Sequence, residues 1–528
     1  MVESVSGSAE RTAPRGKVYL VGAGPGDPGL LTLRGKRCLA RADVVVYDYL
    51  ANPALLRFAR PEAERVFCGK HGGRPRMTSQ EEINALLVEK GRAGKTVVRL
   101  KGGDPFLFGR GAEEASELVA AGIPFEVVPG VTSATAVPAY AGIPLTHREC
   151  TSTVTFISGQ LGADVVAPSV PWARLAHGGT LVLLMSVSQL GANLARLCEE
   201  GLAPSTPAAL VRWGTMPFQQ TIVGTVADLG ERAVELGLKP PAVVVVGEVV
   251  RLRDRLRWFE TRPLFGRCIV VTRARLQASE FADQLEGLGA DVIQVPAIEI
   301  VPPVSYEPLD AALKRLREYR WVIFTSVNGV GAFLERLREI GGDTRWLGDT
   351  SLAAIGSETA RALAEAHLRP DIIPQEYRAE ALAAALRGGI VCGQRVLLPR
   401  SAVARPILPE TLRALGAVVD DVAAYRTRVP DGAVDDVLRR LSDGAVDLLT
   451  FASSSTVRHF VEMVGMETLS VALAKRDRDG RRRVEVGCIG PVTAMTAREL
   501  GLPVDIQPAT YTIPAFTEAI VARFCNGG

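Results

Sequence analysis

Short apolar runs rich in valine, leucine and isoleucine recur along the chain, each closed by a glycine, proline or polar residue. In the first half they fall at 17–22, 43–47, 96–100, 153–158, 180–185 and 242–247. Continuous apolar runs of this length mark strands buried on both faces. Between them lie stretches of helical spacing. In 79–90, Ile83, Leu86 and Leu87 recur at helical intervals behind a polar start. The alternation predicts an α/β chain with mostly parallel sheets.

The pattern also divides the chain. A charge-dense stretch, Arg251-Leu252-Arg253-Asp254-Arg255-Leu256-Arg257, followed by Thr261-Arg262-Pro263, predicts a linker near 251–266, and a fresh strand starts at Cys268-Ile269-Val270-Val271-Thr272. The second half repeats itself. Phe324-Thr325-Ser326-Val327 is echoed by Phe451-Ala452-Ser453-Ser454, and Ile355-Gly356-Ser357-Glu358-Thr359-Ala360 by Ile489-Gly490-Pro491-Val492-Thr493-Ala494. Two similar α/β lobes account for the echo. Hydroxyl side chains at strand ends favour a ligand site there, because open α/β sheets bind at that edge.

Composition narrows the function. With 528 residues the chain exceeds a single core. Its net charge of +3 lacks the basic excess of a nucleic-acid binder. No apolar run approaches the roughly 18 residues of a membrane span. The eight cysteines are scattered without a C-x-x-C, and the five histidines show no metal spacing, so free thiols and no metal are expected. Residues 1–15 predict a disordered tail without the apolar segment of a signal peptide. Together these point to a cytoplasmic enzyme.

The chemistry concentrates in two glycine-rich turns, Gly22-Ala23-Gly24-Pro25-Gly26-Asp27-Pro28-Gly29 and Gly102-Gly103-Asp104-Pro105, each leaving an apolar strand. Glycines let a ligand reach backbone amides, and proline stiffens the turn. A nicotinamide-binding reading fails on spacing: G-x-G-x-x-G would need glycine where Asp27 stands, and an acid there opposes a pyrophosphate.

These turns, with Val45-Val46-Tyr47-Asp48, Phe67-Cys68-Gly69-Lys70, Phe108-Gly109-Arg110-Gly111, Pro129-Gly130-Val131-Thr132-Ser133-Ala134 and Gly142-Ile143-Pro144-Leu145-Thr146-His147-Arg148, resemble the uroporphyrinogen-III C-methyltransferases of the tetrapyrrole methylase superfamily. The resemblance covers 16–262. It implies two methyl transfers from S-adenosyl-L-methionine to uroporphyrinogen III, giving precorrin-2, the branch point to sirohaem and cobalamin. By motif, Pro25, Gly102, Gly103, Asp104, Leu107, Thr132, Ser133, Met185 and Gly214 contact the cofactor. Asp48 matches the family's base and Lys70 its proton donor, while Asp104 suits a ribose or an ammonium. Arg74, Arg76, Arg99, Lys101, Arg110 and Arg148 lie in or beside the motif turns, where they suit the substrate's carboxylates, Arg74 and Arg148 foremost. A homodimer through this half is implied.

Residues 263–528 resemble uroporphyrinogen-III synthase through Val271-Thr272-Arg273, Thr325-Ser326, the two glycine turns of the echo, Leu398-Pro399-Arg400 and Ala424-Tyr425-Arg426. The resemblance implies two flavodoxin-like lobes, about 266–300 plus 427–524 and 303–422, behind the two-lobed methylase domain. It implies closure of hydroxymethylbilane with inversion of one ring. Tyr425 matches the tyrosine that assists loss of the hydroxyl, and Thr359, Ser453 and Thr493 match cleft hydroxyls. Two other readings stay open: a methyltransferase joined to a non-catalytic tetrapyrrole-binding module, and a nicotinamide-dependent oxidoreductase joined to a ligand sensor.

Overall fold

A computed structural model describes residues 16–526 except 70–78, 160–169, 273–277, 296–298, 375–378, 388, 390–391, 405, 429–433 and 477–482. Lys70, Arg74 and Arg76 therefore lie outside the described residues. By internal contacts the chain divides at Arg267/Cys268, with 286–291 joining the first unit.

The first unit holds two sheets. Lys17–Gly22 (β1), Val44–Tyr47 (β2), Glu64–Phe67 (β3), Thr96–Lys101 (β4) and Phe125–Val128 (β5) form one sheet in the order β3-β2-β4-β1-β5. Its pairings are all parallel. Val18, Leu20, Val44, Val46 and Val97 fill one face, and Val21, Val45, Val98 and Leu100 the other. Both faces are buried, as the unbroken apolar runs predict.

Val154–Ser158 (β6), Thr180–Leu184 (β7), Pro207–Arg212 (β8), Gln220–Thr225 (β9) and Ala242–Val246 (β10) form the second sheet, in the order β6-β7-β10-β8-β9. Here the expected parallel pattern gives way. Only β6 and β7 pair parallel, while β10 runs antiparallel to both its neighbours and β8 to β9. Helices cover both faces of the central strands, so these strands carry the same apolar runs whatever their direction.

The stretch 251–266, expected as a linker, is folded onto this unit. Arg253 is buried, bonds the Ala141 carbonyl and pairs with Glu260. Phe259 and Leu264 are buried as well. The charged residues hid these anchors because one arginine of the run points inward.

The second unit also holds two sheets. Cys268–Thr272 (β11), Asp291–Val295 (β12), Leu448–Phe451 (β18) and Glu485–Cys488 (β19) make a sheet ordered β12-β11-β18-β19. Glu299–Val301 (β13), Trp321–Phe324 (β14), Ser351–Ala354 (β15), Arg395–Ser401 (β16) and Val418–Arg428 (β17) make the other, ordered β13-β17-β16-β14-β15. Only the β13–β17 pairing is antiparallel within it, at the end of β17.

The internal echo is structural. β14 and β18 each lead through an N-capping serine, Ser326 or Ser453, into a helix, Val327–Glu339 or Ser454–Val464. The next strands, β15 and β19, each lead through Gly356 or Gly490 into a further helix, Ser357–Glu365 or Pro491–Glu499. Even the edge support repeats: Asp371 accepts from Leu352 N and Asp505 from Val486 N.

Gly130, beyond β5, packs so closely that a Cβ would overlap the Gly103 carbonyl and the Gly22 backbone. Gly130→Ala is expected to destabilise the first unit by about 1–3 kcal/mol through overpacking, seen as a lower midpoint of its thermal transition.

Candidate functional site

The first candidate site lies at the C-terminal edge of the all-parallel sheet, between its neighbouring strands β1 and β4. Chain reversal on either side of such a pair opens a crevice. β1 runs into Gly22-Ala23-Gly24 and β4 into Gly102-Gly103-Asp104. The two loops pair with each other, Gly103 N donating to Gly24 O at 2.7 Å and Gly24 N to Gly103 O at 3.2 Å. Gly103 takes φ +65°, a left-handed conformation that favours glycine, and a Cβ there would find nothing nearer than 3.7 Å. Its outer side is open for a ligand's polar edge.

The Asp104 carboxylate is committed to the loops. Oδ1 accepts from Phe106 N and Leu107 N at 2.8 and 3.1 Å, and Oδ2 from Gly130 N at 3.0 Å. Its first task is to bind the third glycine loop to the second, rather than only to face a ribose or ammonium. Oδ2 keeps acceptor capacity for one further donor. Thr132 caps the helix Ser133–Tyr140 through its hydroxyl, so Thr132 and Ser133 stand at a helix start beside Gly103.

Asp27 ties the loop of β1 to the rest of the unit. Its carboxylate accepts from Gly29 N and from the Tyr140 hydroxyl, both at 2.7 Å, and its own N–H donates to Thr215 Oγ1 at 3.0 Å. The Tyr140 phenol is pushed well above its ordinary range by burial and by this carboxylate. Asp27 therefore occupies the Gly29 amide and sets a negative charge where a pyrophosphate would have to sit.

Among the described residues six non-glycine residues take positive φ, and five flank expected cofactor contacts. Phe108 and Arg110 follow Leu107, Met185 is itself strained at φ +55°, and Trp213 and Thr215 bracket Gly214. Such backbone strain costs on the order of 1–3 kcal/mol per residue and persists where surroundings enforce it. Leu107, Ala134 and Leu184 share one apolar cluster, which brings Leu107, Ser133 and Met185 toward one another. Gly214 lies against Val137 of the helix behind Ser133. Met185 is exposed at 48%, and Pro25 is half-buried beside the paired loops.

Asp48 lies beyond β2. Its Oδ1 accepts from Leu50 N at 3.1 Å, and its Oδ2 from Arg99 Nη2 at 3.0 Å. Arg99 and Lys101, expected beside the substrate's carboxylates, are instead buried on β4 and held by Glu114. Alternation along β4 turns both inward, onto the face covered by the helix Gly111–Ala120. Arg110 pairs with Glu113 at 2.7 Å. Arg148 is exposed within a tight turn closed by the pairing of His147 and Thr151. Glu114, which sequence reasoning passed over, signals itself only as a second acid behind Glu113 on an otherwise apolar helix face.

In the second unit Tyr425 sits on β17, exposed at only 7%, with its hydroxyl 3.1 Å from Ser326 Oγ. Ser326 Oγ also accepts from Gly329 N at 3.0 Å. Burial raises the phenol's pKa, so it is neutral near pH 7. Ser453, the counterpart of Ser326, bonds Ser455 and Thr456 instead. Thr359 and Thr493 occupy equivalent first turns of their helices and are both buried. No helix among the described residues is long and apolar enough to cross a membrane.

A paired-glycine crevice on one α/β unit, followed by a duplicated α/β unit with serine-capped helices after its strands, defines a two-domain α/β enzyme. Residues 17–230 match the tetrapyrrole (corrin/porphyrin) methylases, and 279–518 match uroporphyrinogen-III synthase HemD. The porphyrin biosynthesis protein HemD of Ruminiclostridium josui is 38% identical over 493 residues, covering 92% of this chain and 94% of that one. The S-adenosyl-L-methionine-dependent uroporphyrinogen III methyltransferase of Methanosarcina barkeri is 54% identical over 242 residues, 46% of this chain and 94% of its own. A crystal structure of the Thermus thermophilus uroporphyrin-III C-methyl transferase with S-adenyl homocysteine is 42% identical, covering 45% of this chain and all of that one, at a TM-score of 0.39. The chain belongs to the HemD family of porphyrin biosynthesis proteins, with a methylase domain followed by a synthase domain.

Tyr140→Phe removes a hydrogen bond to a carboxylate, and a loss of about 1–3 kcal/mol is expected. Thermal unfolding of the full chain should show the methylase transition lowered and the synthase transition unmoved.

Proposed function

We propose that the C-terminal unit closes hydroxymethylbilane to uroporphyrinogen III and that the N-terminal unit methylates that product twice to precorrin-2. The observation that carries the methylation is the strained backbone at Phe108, Arg110, Met185, Trp213 and Thr215, gathered beside the paired glycine loops. The relationship to a porphyrin biosynthesis protein along both units supports the pairing of activities. The same reading makes the chain a cytoplasmic homodimer acting on small tetrapyrroles.

S-adenosylmethionine, when bound, supplies an electrophilic methyl group on a sulfonium. The crevice suits such a molecule. The open outer side of Gly103, the Thr132 and Ser133 helix start and the spare Asp104 acceptor offer partners for an amino-acid tail, ribose hydroxyls and an adenine edge, while Gly102 packs closely against Leu50. Pro25, Leu107, Met185 and Gly214 supply apolar and backbone walls. A pyrrole carbon that gains the methyl group leaves positive charge on its ring, and a proton must then depart. Asp48, half-buried and held by Arg99, is a carboxylate fixed to accept it. Methyl transfer needs in-line approach, so much of the rate comes from alignment by these rigid loops. Arg148, exposed beyond the crevice helix, serves the substrate's carboxylates, and Lys70 and Arg74 retain their implied roles as donor and carboxylate partner.

In the synthase unit the neutral Tyr425 hydroxyl is a proton donor for the departing hydroxyl of hydroxymethylbilane. Ser326 holds it in place. Ser453, at the start of its helix, and Thr359 and Thr493, in the first turns of theirs, stand where the substrate's carboxylates meet backbone amides.

The test is anaerobic incubation with enzymatically generated hydroxymethylbilane, with and without S-adenosylmethionine, read by isomer-resolved chromatography and mass. Type III macrocycle alone without the methyl donor, and a dimethylated product with it, are expected. Only the spontaneous type I macrocycle would refute the synthase. Asp48→Asn should lower methylation kcat on the order of 100-fold, with KM for the methyl donor unchanged. Ser326→Ala should slow ring closure about fivefold, the equivalent of one hydrogen bond of about 1 kcal/mol, while methylation of supplied uroporphyrinogen III stays unchanged.

A further inference from the structure

We infer that Glu114 is a positioning residue for methylation: it acts through Arg99 to set the aim and basicity of Asp48 without touching substrate. This rests on the reading of Asp48 as the base.

Glu114 lies on the helix Gly111–Ala120 and is wholly inaccessible, at 0%. A carboxylate in that position is costly unless paired. Its Oε1 takes three donors: Lys101 Nζ at 2.7 Å, Gln80 Nε2 at 3.1 Å and Arg99 Nε at 3.2 Å. Its Oε2, also buried, has no hydrogen-bond partner among the described residues. The carboxylate is therefore held by one oxygen, and that oxygen gathers the two buried cations of β4.

Arg99 carries the effect outward. Nε goes to Glu114, Nη1 to the Leu100 carbonyl at 3.1 Å and Nη2 to Asp48 Oδ2 at 3.0 Å. Three partners on three nitrogens fix the guanidinium plane, and that plane fixes the Asp48 carboxylate. Leu50 N secures the other oxygen. Asp48 thus has one orientation, decided by a residue two partners deep.

Charge follows the same path. Arg99 and Lys101 are positive, Glu114 and Asp48 negative, so the four balance. Burial and the neighbouring Arg99 lower the Lys101 pKa, against the pull of Glu114. Among the described residues the other titratable groups around Asp48 are the Tyr49 phenol and the Cys68 thiol. Burial pushes both upward, so both are neutral near pH 7. With Glu114 neutral, two buried cations would face Asp48 alone. Its carboxylate would hold its charge more firmly and accept a proton less readily.

The experiment measures single-turnover methylation of uroporphyrinogen III by the full chain against pH, comparing Glu114→Gln and Asp48→Asn. For Glu114→Gln the acid limb should move to lower pH and the plateau fall at least tenfold, with KM for S-adenosylmethionine unchanged. An unmoved limb and plateau, beside a depressed Asp48→Asn, would overturn the role of Glu114 and leave the base reading standing. Wild-type rates in Asp48→Asn would overturn both. The double variant Lys101→Gln with Glu114→Gln restores the charge balance, and its acid limb should return toward the wild-type position. Should Glu114→Gln fail to fold, Glu114→Asp keeps the charge but shortens the reach. It should then lower kcat about tenfold at constant KM with the acid limb unmoved, and an unchanged kcat would overturn the proposal.

Discussion

Backbone pressed against backbone at the C-terminal edge of the first sheet is the constraint on which the methylase unit depends. Gly22, Gly103 and Gly130 end three neighbouring strands or their loops and meet where a methyl group on any of them would collide or strain. Side chains are excluded, so only main-chain atoms and the Asp104 carboxylate can hold the loops together. The same exclusion leaves open space on the outer side of Gly103. One packing rule therefore makes both the joint and the ligand edge.

Strain elsewhere in the unit follows from that joint. The second sheet must bring Met185 and Trp213-Gly214-Thr215 toward the first, and Asp27 provides the fastening through Thr215 and Tyr140. With the loop ends fixed, these residues adopt left-handed backbone that free chains avoid. A crevice assembled this way is set before a ligand arrives. A reaction that depends on the alignment of two molecules gains from such preorganisation.

The framework was legible in the sequence because burial on two faces leaves a plain trace. All six apolar runs of the first half became strands with boundaries shifted by a residue at most. The glycine turns and the duplicated second half were equally visible, since both depend on residue type at short range. Strand direction in the second sheet was not visible, because both directions there bury the same residues. The inward setting of Arg99 and Lys101, and the hold of Asp104 on its neighbouring loops, were hidden for a related reason. Charged residues beside a ligand motif suggest the ligand, yet strand alternation sends Arg99 and Lys101 inward and the loop consumes most of Asp104. Glu114 escaped notice because its partners come from another strand and another helix, and no local pattern records that meeting.

The synthase unit shows how duplication and asymmetry combine. Ser326 and Ser453 cap equivalent helices with nearly the same backbone conformation, so the framework alone cannot tell them apart. The difference is the long strand β17, which crosses the lobe of Ser326 and carries Tyr425 to that serine. At Ser453 the hydroxyl turns back to Ser455 and Thr456 in its own helix. Where a tyrosine arrives, the capping oxygen also meets its hydroxyl. Where none does, it remains a cap. A symmetric pair of lobes thus presents one chemically distinct edge, as a reaction that singles out one end of a linear substrate requires.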